Sequence, residues 1–309
     1  MKRFRLFITL LSLLTLFTGC HSLIEDTFPA RQRIPVLNSV LSPDSLIRVH
    51  LSLSAALNDS LPLFIENADV EIHSTEGWTE KLVHTDNGYY TSIRTSKINE
   101  TYTCQAKIEG FPLVTASTTI PPFTDFENII FIPTASKDED GRDIAAVHFS
   151  IVNHTDKQHF WEVRMLREGL VYDWDSKSEL LKIREADINM LAGNDPVLQN
   201  EALPLTVFSN KKMVGNSYEV VFYTPGWALG SYTDGKLTIN ESDNFYIELR
   251  SADESFYYYQ KQAYLYKTSG GTGFGSATQS YALYSNVKNG LGIFTSFSPV
   301  RKKIELKNK

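Results

Sequence analysis

The chain contains two thiols, Cys20 and Cys104, and the sequence around each indicates its chemical role. Cys20 follows a short apolar segment and Gly19, whereas Cys104 lies inside an alternating stretch at residues 101–108. Alternation is typical of a half-buried strand, and a thiol in such a strand is more often structural than reactive. We therefore expect Cys104 to be buried and inert, and Cys20 to be the residue that is chemically modified.

The segment before Cys20 has the features of a signal peptide at residues 1–19. Three basic residues precede a twelve-residue apolar run at residues 6–17. Twelve helical residues span about 18 Å, less than the roughly 30 Å hydrocarbon core of a membrane. Gly19 and Cys20 resemble a bacterial lipobox, although Phe17 departs from its usual Leu, Val or Ile. The resemblance implies cleavage before Cys20 and its acylation, and an ordinary secretory signal is the alternative.

The rest of the chain contains no recognisable catalytic or metal-binding pattern. Neither a Gly-x-Ser-x-Gly nucleophile elbow nor a His-Glu-x-x-His zinc motif occurs in it. Residues 138–143 are acidic and contain a glycine, but they lack most of a calcium-binding loop, so we expect a hairpin turn there. The three closest histidines match no metal-ligand spacing; they are His148, His154 and His159. We therefore expect no enzyme activity, no catalytic residue, no metal and no cofactor.

The charge balance of the chain is acidic. It carries 30 basic and 36 acidic residues, a net charge of −6. Residues 1–19 contain three basic residues and no acidic one, so their removal leaves a net charge of −9. An acidic surface is unsuited to nucleic acid and to a polybasic contact with anionic lipids. With Cys20 acylated, Cys104 has no second cysteine with which to form an intramolecular disulfide.

After residue 32 the chain consists of two β-rich regions, and any functional site has to be built on them. The strand pattern of the first region is the more regular. After a polar tether expected at residues 20–32, the stretch at 33–122 holds short alternating segments separated by turn signals. The clearest segments are residues 46–53, 69–75, 89–95, 102–108 and 113–120. This pattern predicts an immunoglobulin-like β-sandwich within a mostly β fold. Pro121 and Pro122 cannot donate hydrogen bonds to a sheet, and they mark the end of this domain.

The second region, residues 123–309, is expected to be a β-rich domain with one or two helices. Its strand candidates are residues 126–132, 145–152, 160–166, 218–223 and 245–249. Residues 184–216 contain many acids, amides, glycine and proline, so a long connecting loop is expected there. Near the end, Gly290 and Gly292 indicate a bend where a strand closely approaches another backbone.

One helix is predicted after residue 251. Residues 251–254 form a capping-box pattern, and residues 256–266 contain six aromatic side chains. The first face of this helix consists of Phe256, Tyr259, Ala263 and Tyr266. A partner-binding surface that includes Tyr257, Tyr258 and Tyr264 is one interpretation, because tyrosine is enriched at interfaces. A helix packed over a sheet is the other interpretation and the favoured one.

Several segments resemble a family of Bacteroidetes-type outer-membrane lipoproteins that is catalogued as a domain of unknown function (number forty-two forty-nine). The closing segment at 284–294 is similar to the family's Ser-Asn-x-x-x-Gly-x-Gly-x-Phe signature, and Asn210 stands where the family has Asp. The matching segments are residues 40–45, 49–51, 67–70, 87–89, 101–103, 119–122, 195–196, 208–210 and 284–294. The resemblance implies a sandwich followed by a family-specific β-rich domain, and genes beside those of TonB-dependent transporters. It supplies no catalytic or ligand-binding residues.

These observations favour a non-enzymatic outer-membrane lipoprotein, anchored at Cys20 on the cell surface or the periplasmic face. The expected partner is a TonB-dependent β-barrel transporter, to which the protein docks as an accessory that aids ligand capture or uptake. The alternative is a free-standing surface protein that binds a glycan or a peptide through exposed tryptophans. The candidate tryptophans are Trp161, Trp174 and Trp227.

Overall fold

The computed structural model describes most of the chain after residue 31. The described ranges are residues 32–55, 62–154, 157–173, 175, 177–190, 195–199, 203, 205–233, 236–240, 242–269 and 282–306. The predicted signal peptide, Cys20 and nearly all of the predicted tether lie outside these ranges. Within them, no helix has both the length and the apolar character needed to cross a membrane.

The first nine strands form two facing sheets. One sheet places β1, β2, β7 and β6 side by side with β3 on β2, and the other has the order β5-β4-β8-β9. The strands are β1 (Pro35–Leu41), β2 (Leu46–Leu53), β3 (Leu63–Phe64), β4 (Asp69–Ser74), β5 (Thr79–Lys81), β6 (Val83–His84), β7 (Tyr89–Thr95), β8 (Thr101–Lys107) and β9 (Val114–Thr119).

Alternate residues of these strands fill the space between the two sheets. Buried and partly exposed positions alternate along β1 and β8, as expected when one face of a strand is covered. The shared core includes Leu37, Ile72 and Cys104, all fully buried. Burial raises the pKa of the Cys104 thiol to about 12, which confirms its prediction as a buried structural thiol. This region is the predicted immunoglobulin-like β-sandwich.

The described residues of the second region form ten strands and two α-helices. The strands are β10 (Phe126–Lys137), β11 (Asp143–Val152), β12 (Phe160–Asp173), β13 (Ser178–Ala186), β14 (Val207–Ser209), β15 (Ser217–Pro225), β16 (Gly230–Thr233), β17 (Lys236–Ile239), β18 (Asn244–Ala252) and β19 (Leu291–Lys303). The helices are α1 (Pro196–Gln199) and α2 (Glu254–Ser269), with single 3₁₀ turns at Asn210–Lys212 and Gly226–Ala228.

A second core lies between the sheet β10-β11-β15 and the inner face of β12 and β18. Its aromatic side chains include Phe126, Phe149 and Phe222, whose rings contact one another at centroid distances of 5.1 and 6.4 Å. Edge-to-face packing of this kind suits buried aromatic rings. The mostly β fold predicted for the whole chain is therefore confirmed in this region as well.

Strand β19 belongs to both cores. Its first half pairs in parallel with β1, and its second half pairs antiparallel with β18. The result is one ten-stranded sheet with the main order β13-β12-β18-β19-β1-β2-β7-β6. Phe294, on the first half of β19, is fully buried in the sandwich core. The division of the chain after residue 122 stays a prediction, since residues Arg33–Lys309 form one compact unit.

Two tight turns join neighbouring strands, and the second of them was predicted from the sequence. Asn87 and Gly88, between β6 and β7, have φ angles of 46° and 76°, the positive values that Asn-Gly hairpins adopt. Between β10 and β11, the Asp138 carboxylate accepts hydrogen bonds from the backbone N–H groups of Asp140 (3.0 Å) and Arg142 (2.8 Å). That carboxylate stabilises the hairpin turn predicted for residues 138–143.

The expectation of a long loop at residues 184–216 is wrong in part. Strand β13 continues to Ala186, and the same stretch contains α1, β14 and the 3₁₀ turn. Strand β13 gave no alternation signal because it is an edge strand, exposed at every position except its last. Strand β14 was missed because its three residues are all buried, which gives no two-residue period.

Candidate ligand-binding cavity

Helix α2 begins after Asp253 rather than after the predicted cap, Ser251. The Asp253 carboxylate accepts a hydrogen bond from the Phe256 N–H at 2.8 Å, which is the contact that an N-cap residue makes. Ser251 lies in β18, and its hydroxyl is hydrogen-bonded to the Thr124 hydroxyl at 2.8 Å. The capping-box prediction was therefore wrong by two residues, because the pairing of β18 with β12 and β19 extends to Ala252.

The first turn of α2 packs on the face of β12 that points away from the second core. Phe256 and Tyr257 are buried there with Phe160, Val207 and Ala252. The ring of Tyr257 lies 4.8 Å from that of Phe160, measured between centroids. The favoured interpretation of α2 as a helix packed over a sheet is correct for this turn.

A cavity of about 330 Å³ lies beside this packing contact. Its walls come from α1, the end of β14, the 3₁₀ turn, α2 and the segment before β12. The lining residues are Gln158, Val197, Ser209, Lys211, Lys212, Tyr257, Tyr258 and Lys261, and we call the site the lysine–tyrosine cavity.

Asn210 fixes the turn that carries two of the three lysines. This residue is only 9% exposed. Its side-chain amide donates hydrogen bonds to the backbone oxygens of His154 (3.0 Å) and Lys157 (2.8 Å), and its side-chain oxygen accepts one from the His159 N–H (2.9 Å). The turn with Lys211 and Lys212 is thereby tied to the segment that leads into β12.

The third lysine, Lys261, projects from α2 one turn after Tyr257. Its Nζ donates a hydrogen bond to the Tyr257 hydroxyl at 3.0 Å and lies 4.9 Å from the centre of the Tyr257 ring. An ammonium near an aromatic ring is attracted by the electrons of its face. Tyr258 completes this wall, with its ring centroid 5.2 Å from that of Tyr257 and 5.8 Å from that of Tyr284.

Two of the three predicted partner-surface tyrosines line the lysine–tyrosine cavity. Tyr257 is 7% exposed and belongs to the buried wall, whereas Tyr258 is 37% exposed at the rim. Tyr264 is half-buried farther along α2 and does not line the cavity. The predicted lipid-attachment residue, Cys20, lies outside the described residues.

Gln158, Lys211 and Lys212 carry no pattern in the sequence that marks them as site residues. Of the three cavity lysines, Lys261 is the one that the sequence relates to a predicted site residue. It lies four residues after Tyr257 and therefore on the same helical face. Nothing in the sequence joins Lys211 to Lys261, because only the tertiary structure brings these segments together.

The tryptophans proposed as stacking platforms have different environments. Trp161 is 1% exposed, and its indole N–H donates to the Thr124 hydroxyl at 2.9 Å. It is therefore a core residue, and its prediction as a binding platform was wrong. Trp227 is 55% exposed, and Trp174 lies outside the described residues.

The described lining of the cavity offers groups that bind ligands. It presents ammonium, phenol, amide and hydroxyl groups, together with the apolar side chain of Val197. Among the described residues, no group of three or more His, Cys, Asp or Glu side chains is arranged to hold a metal ion. The chemistry that this arrangement supports is the binding of a small molecule through charge and aromatic contact.

A family model with the description "Domain of unknown function (DUF4249)" matches residues 24–303 of the chain. This match confirms the family resemblance drawn from the sequence segments, whereas lipid attachment and location stay predictions. No curated protein matches the chain.

Proposed function

The chain belongs to the family described as Domain of unknown function (DUF4249), and from this premise we propose that it is a non-enzymatic, lipid-anchored protein of the outer membrane. It binds a small ligand in the lysine–tyrosine cavity and delivers that ligand to a TonB-dependent transporter on which it docks. The exposed part of α2 is the docking surface.

The observation that carries this proposal is the cavity itself. Its volume of about 330 Å³ falls within the roughly 300–1,000 Å³ that is usual for small-molecule sites. Two tyrosines and three lysines are among its described lining residues, and the segments that carry them are supported by a helix cap and by the buried amide of Asn210. Support of this kind fixes a binding site before its ligand arrives, which lowers the entropic cost of binding.

The membrane part of the proposal rests on the sequence. The basic and apolar segments before Cys20 support export and acylation at that residue. The family resemblance implies transporter genes as neighbours, which supports a β-barrel as the partner. Tyr258 and Tyr264 on α2 are the residue type that is enriched at protein interfaces, and Tyr258 also borders the cavity.

Co-purification from native membranes tests this function. Full-length protein with a carboxyl-terminal tag is extracted in mild detergent, and the co-eluting proteins are identified by mass spectrometry. We expect a TonB-dependent barrel in the eluate, and we expect the Cys20→Ser variant to leave the membrane fraction and to lose the barrel. A wild-type protein that elutes alone in several detergents would favour a free-standing surface receptor and would contradict the proposal.

A further inference from the structure

The lysine–tyrosine cavity combines a positive charge with planar walls in an otherwise acidic protein. Three of the eight described lining residues are lysines, and none of the eight is acidic. The whole chain has a net charge of −6, so the described lining residues have the opposite sign of charge to the chain as a whole. A concave site with one sign of charge concentrates small ions of the other sign.

The three lysines lie on supports that differ in kind. Lys211 and Lys212 are on the 3₁₀ turn that Asn210 anchors, and Lys261 is on the helix that Asp253 caps. The backbone positions of all three are therefore fixed independently of a ligand. An anionic group between them can accept charge-assisted hydrogen bonds, which are stronger than bonds between neutral groups.

The tyrosines add a second element of recognition. Tyr257 packs on Phe160 and is held in place by that contact, while Tyr258 stands at the rim with its ring partly exposed. Aromatic side chains give flat contact surfaces for other planar groups. The lining therefore offers cations for a charged end of a ligand and rings for a flat part of the same ligand.

We propose that the ligand of this cavity is a small organic anion that carries a carboxylate or phosphate next to a planar, largely apolar group. The anionic group lies among Lys211, Lys212 and Lys261, and the planar group lies against Tyr258. This inference rests on the proposed function, because it names the class of ligand that the protein captures.

A pair of matched probes tests the inference. Binding of 4-fluorobenzoate and of the neutral 4-fluorobenzamide to the full-length protein in detergent is followed by fluorine NMR titration at low salt. We expect the benzoate to bind at least about tenfold more tightly than the benzamide, because only the benzoate forms charge-assisted contacts. We also expect its affinity to fall as salt is added, since ions screen exposed charges.

Variants of the cavity lysines test whether the benzoate binds in the cavity. The double variant Lys211→Gln/Lys261→Gln is expected to weaken benzoate binding at least about tenfold, since it removes two of the three cations. The matched control is Lys236→Gln, which removes an exposed lysine on β17 and is expected to leave binding unchanged. Equal melting temperatures of the double variant and the control exclude unfolding as the cause.

The possible failures of the two proposals are distinguishable. Equal affinities for the benzoate and the benzamide contradict the anionic class of ligand, while the docking claim is judged separately by the transporter in the eluate. Absence of benzoate binding to the wild-type protein, or binding that the double variant retains, also overturns the inference.

Discussion

At the scale of single residues, the amide of Asn210 organises one wall of the cavity. It makes three hydrogen bonds to the backbone of residues 154–159 from a position that is 9% exposed. A carboxylate at this position could accept the bond from the His159 N–H but could not donate to the oxygens of His154 and Lys157. The asparagine therefore suits this position better than the aspartate that the family resemblance leads one to expect.

Replacing Asn210 with Ala should lower both stability and ligand binding. The change leaves two backbone oxygens and one N–H without their partner, so we expect a loss of about 2–4 kcal/mol in the free energy of unfolding. Affinity for 4-fluorobenzoate should fall in parallel, because the turn with Lys211 and Lys212 loses its anchor. Urea unfolding and the fluorine NMR titration measure the two effects. The control is Asn216→Ala. Asn216 is exposed, and its hydrogen bond is made by its backbone oxygen, which alanine keeps.

Asp253 gives a pH-dependent prediction. Burial raises the pKa of its carboxyl above the ordinary value of 3.8, although hydrogen bonds from Thr118, Thr295 and the Phe256 N–H act in the opposite direction. Because the folded state holds the proton more tightly than the unfolded state, ionisation of Asp253 reduces stability as pH rises from 3.8 through the raised pKa.

Asp253→Asn and Asp253→Ala separate this charge from the helix cap. Asparagine keeps a capping oxygen without the charge, so the Asn variant should gain stability relative to the wild type as pH rises. Alanine removes the cap and should cost about 1 kcal/mol or more at every pH. Urea unfolding between pH 3.5 and 7 measures both. An Asn variant whose free energy of unfolding falls relative to that of the wild type as pH rises would contradict the assignment.

At the scale of the elements, the junction of β1 and β19 depends on one glycine. Gly292 has a φ of +106°, and a Cβ added there would overlap the backbone oxygen of Leu37. Gly110 has a φ of +79° with open space around its Cβ position, so it shares the conformation but not the close approach. The bend predicted for residues 290–292 from the two glycines is therefore a site of close backbone contact.

Alanine substitutions at these two glycines should have different costs. Gly110→Ala should lose about 1 kcal/mol of stability from its positive φ alone. Gly292→Ala should lose about 3 kcal/mol or more, because the clash also displaces β19 from β1. Chemical denaturation of the two variants tests this. Equal losses would show that the close approach to Leu37 has no energetic consequence.

The closing signature that revealed the family has a structural explanation. The side-chain oxygen of Asn286 accepts a hydrogen bond from the Phe294 N–H at 2.9 Å, and its amide donates to the Phe294 oxygen at 2.8 Å. The same amide lies 3.1 Å from the Ser255 hydroxyl on α2. The asparagine thus joins the start of β19 to the first turn of the helix that forms the cavity wall.

The sequence predicted most of the elements that carry a local period, although β1 also alternates and was not among the predicted segments. Strands β2, β4, β7, β8 and β9 were predicted within one or two residues, because each has one face in the sandwich core. Strand β13 is exposed on both faces and gave no such signal. The lysine–tyrosine cavity could be predicted only in part, because α2 is a local pattern whereas the approach of Lys211 to α2 depends on tertiary packing.

At the scale of the whole molecule, the shared strand β19 connects the sandwich to the region that carries the cavity. Its first half pairs with β1 and its second half with β18, which also leads into α2. Asp253 adds a second connection, because its carboxylate accepts a hydrogen bond from the Thr118 hydroxyl on β9 at 2.6 Å. A helix that is fixed to both cores is a suitable support for a binding site and for a docking surface.

The central claim is that α2 faces the transporter in the outer membrane, and site-specific photo-crosslinking in intact cells tests it most directly. A photoreactive amino acid is placed at Tyr264 on α2 or, as the control, at Ile93 on the sandwich, which is 83% exposed. We predict an adduct between this protein and a TonB-dependent barrel from position 264 and none from position 93. An adduct with the barrel from position 93 alone, or from neither position, would contradict the claim.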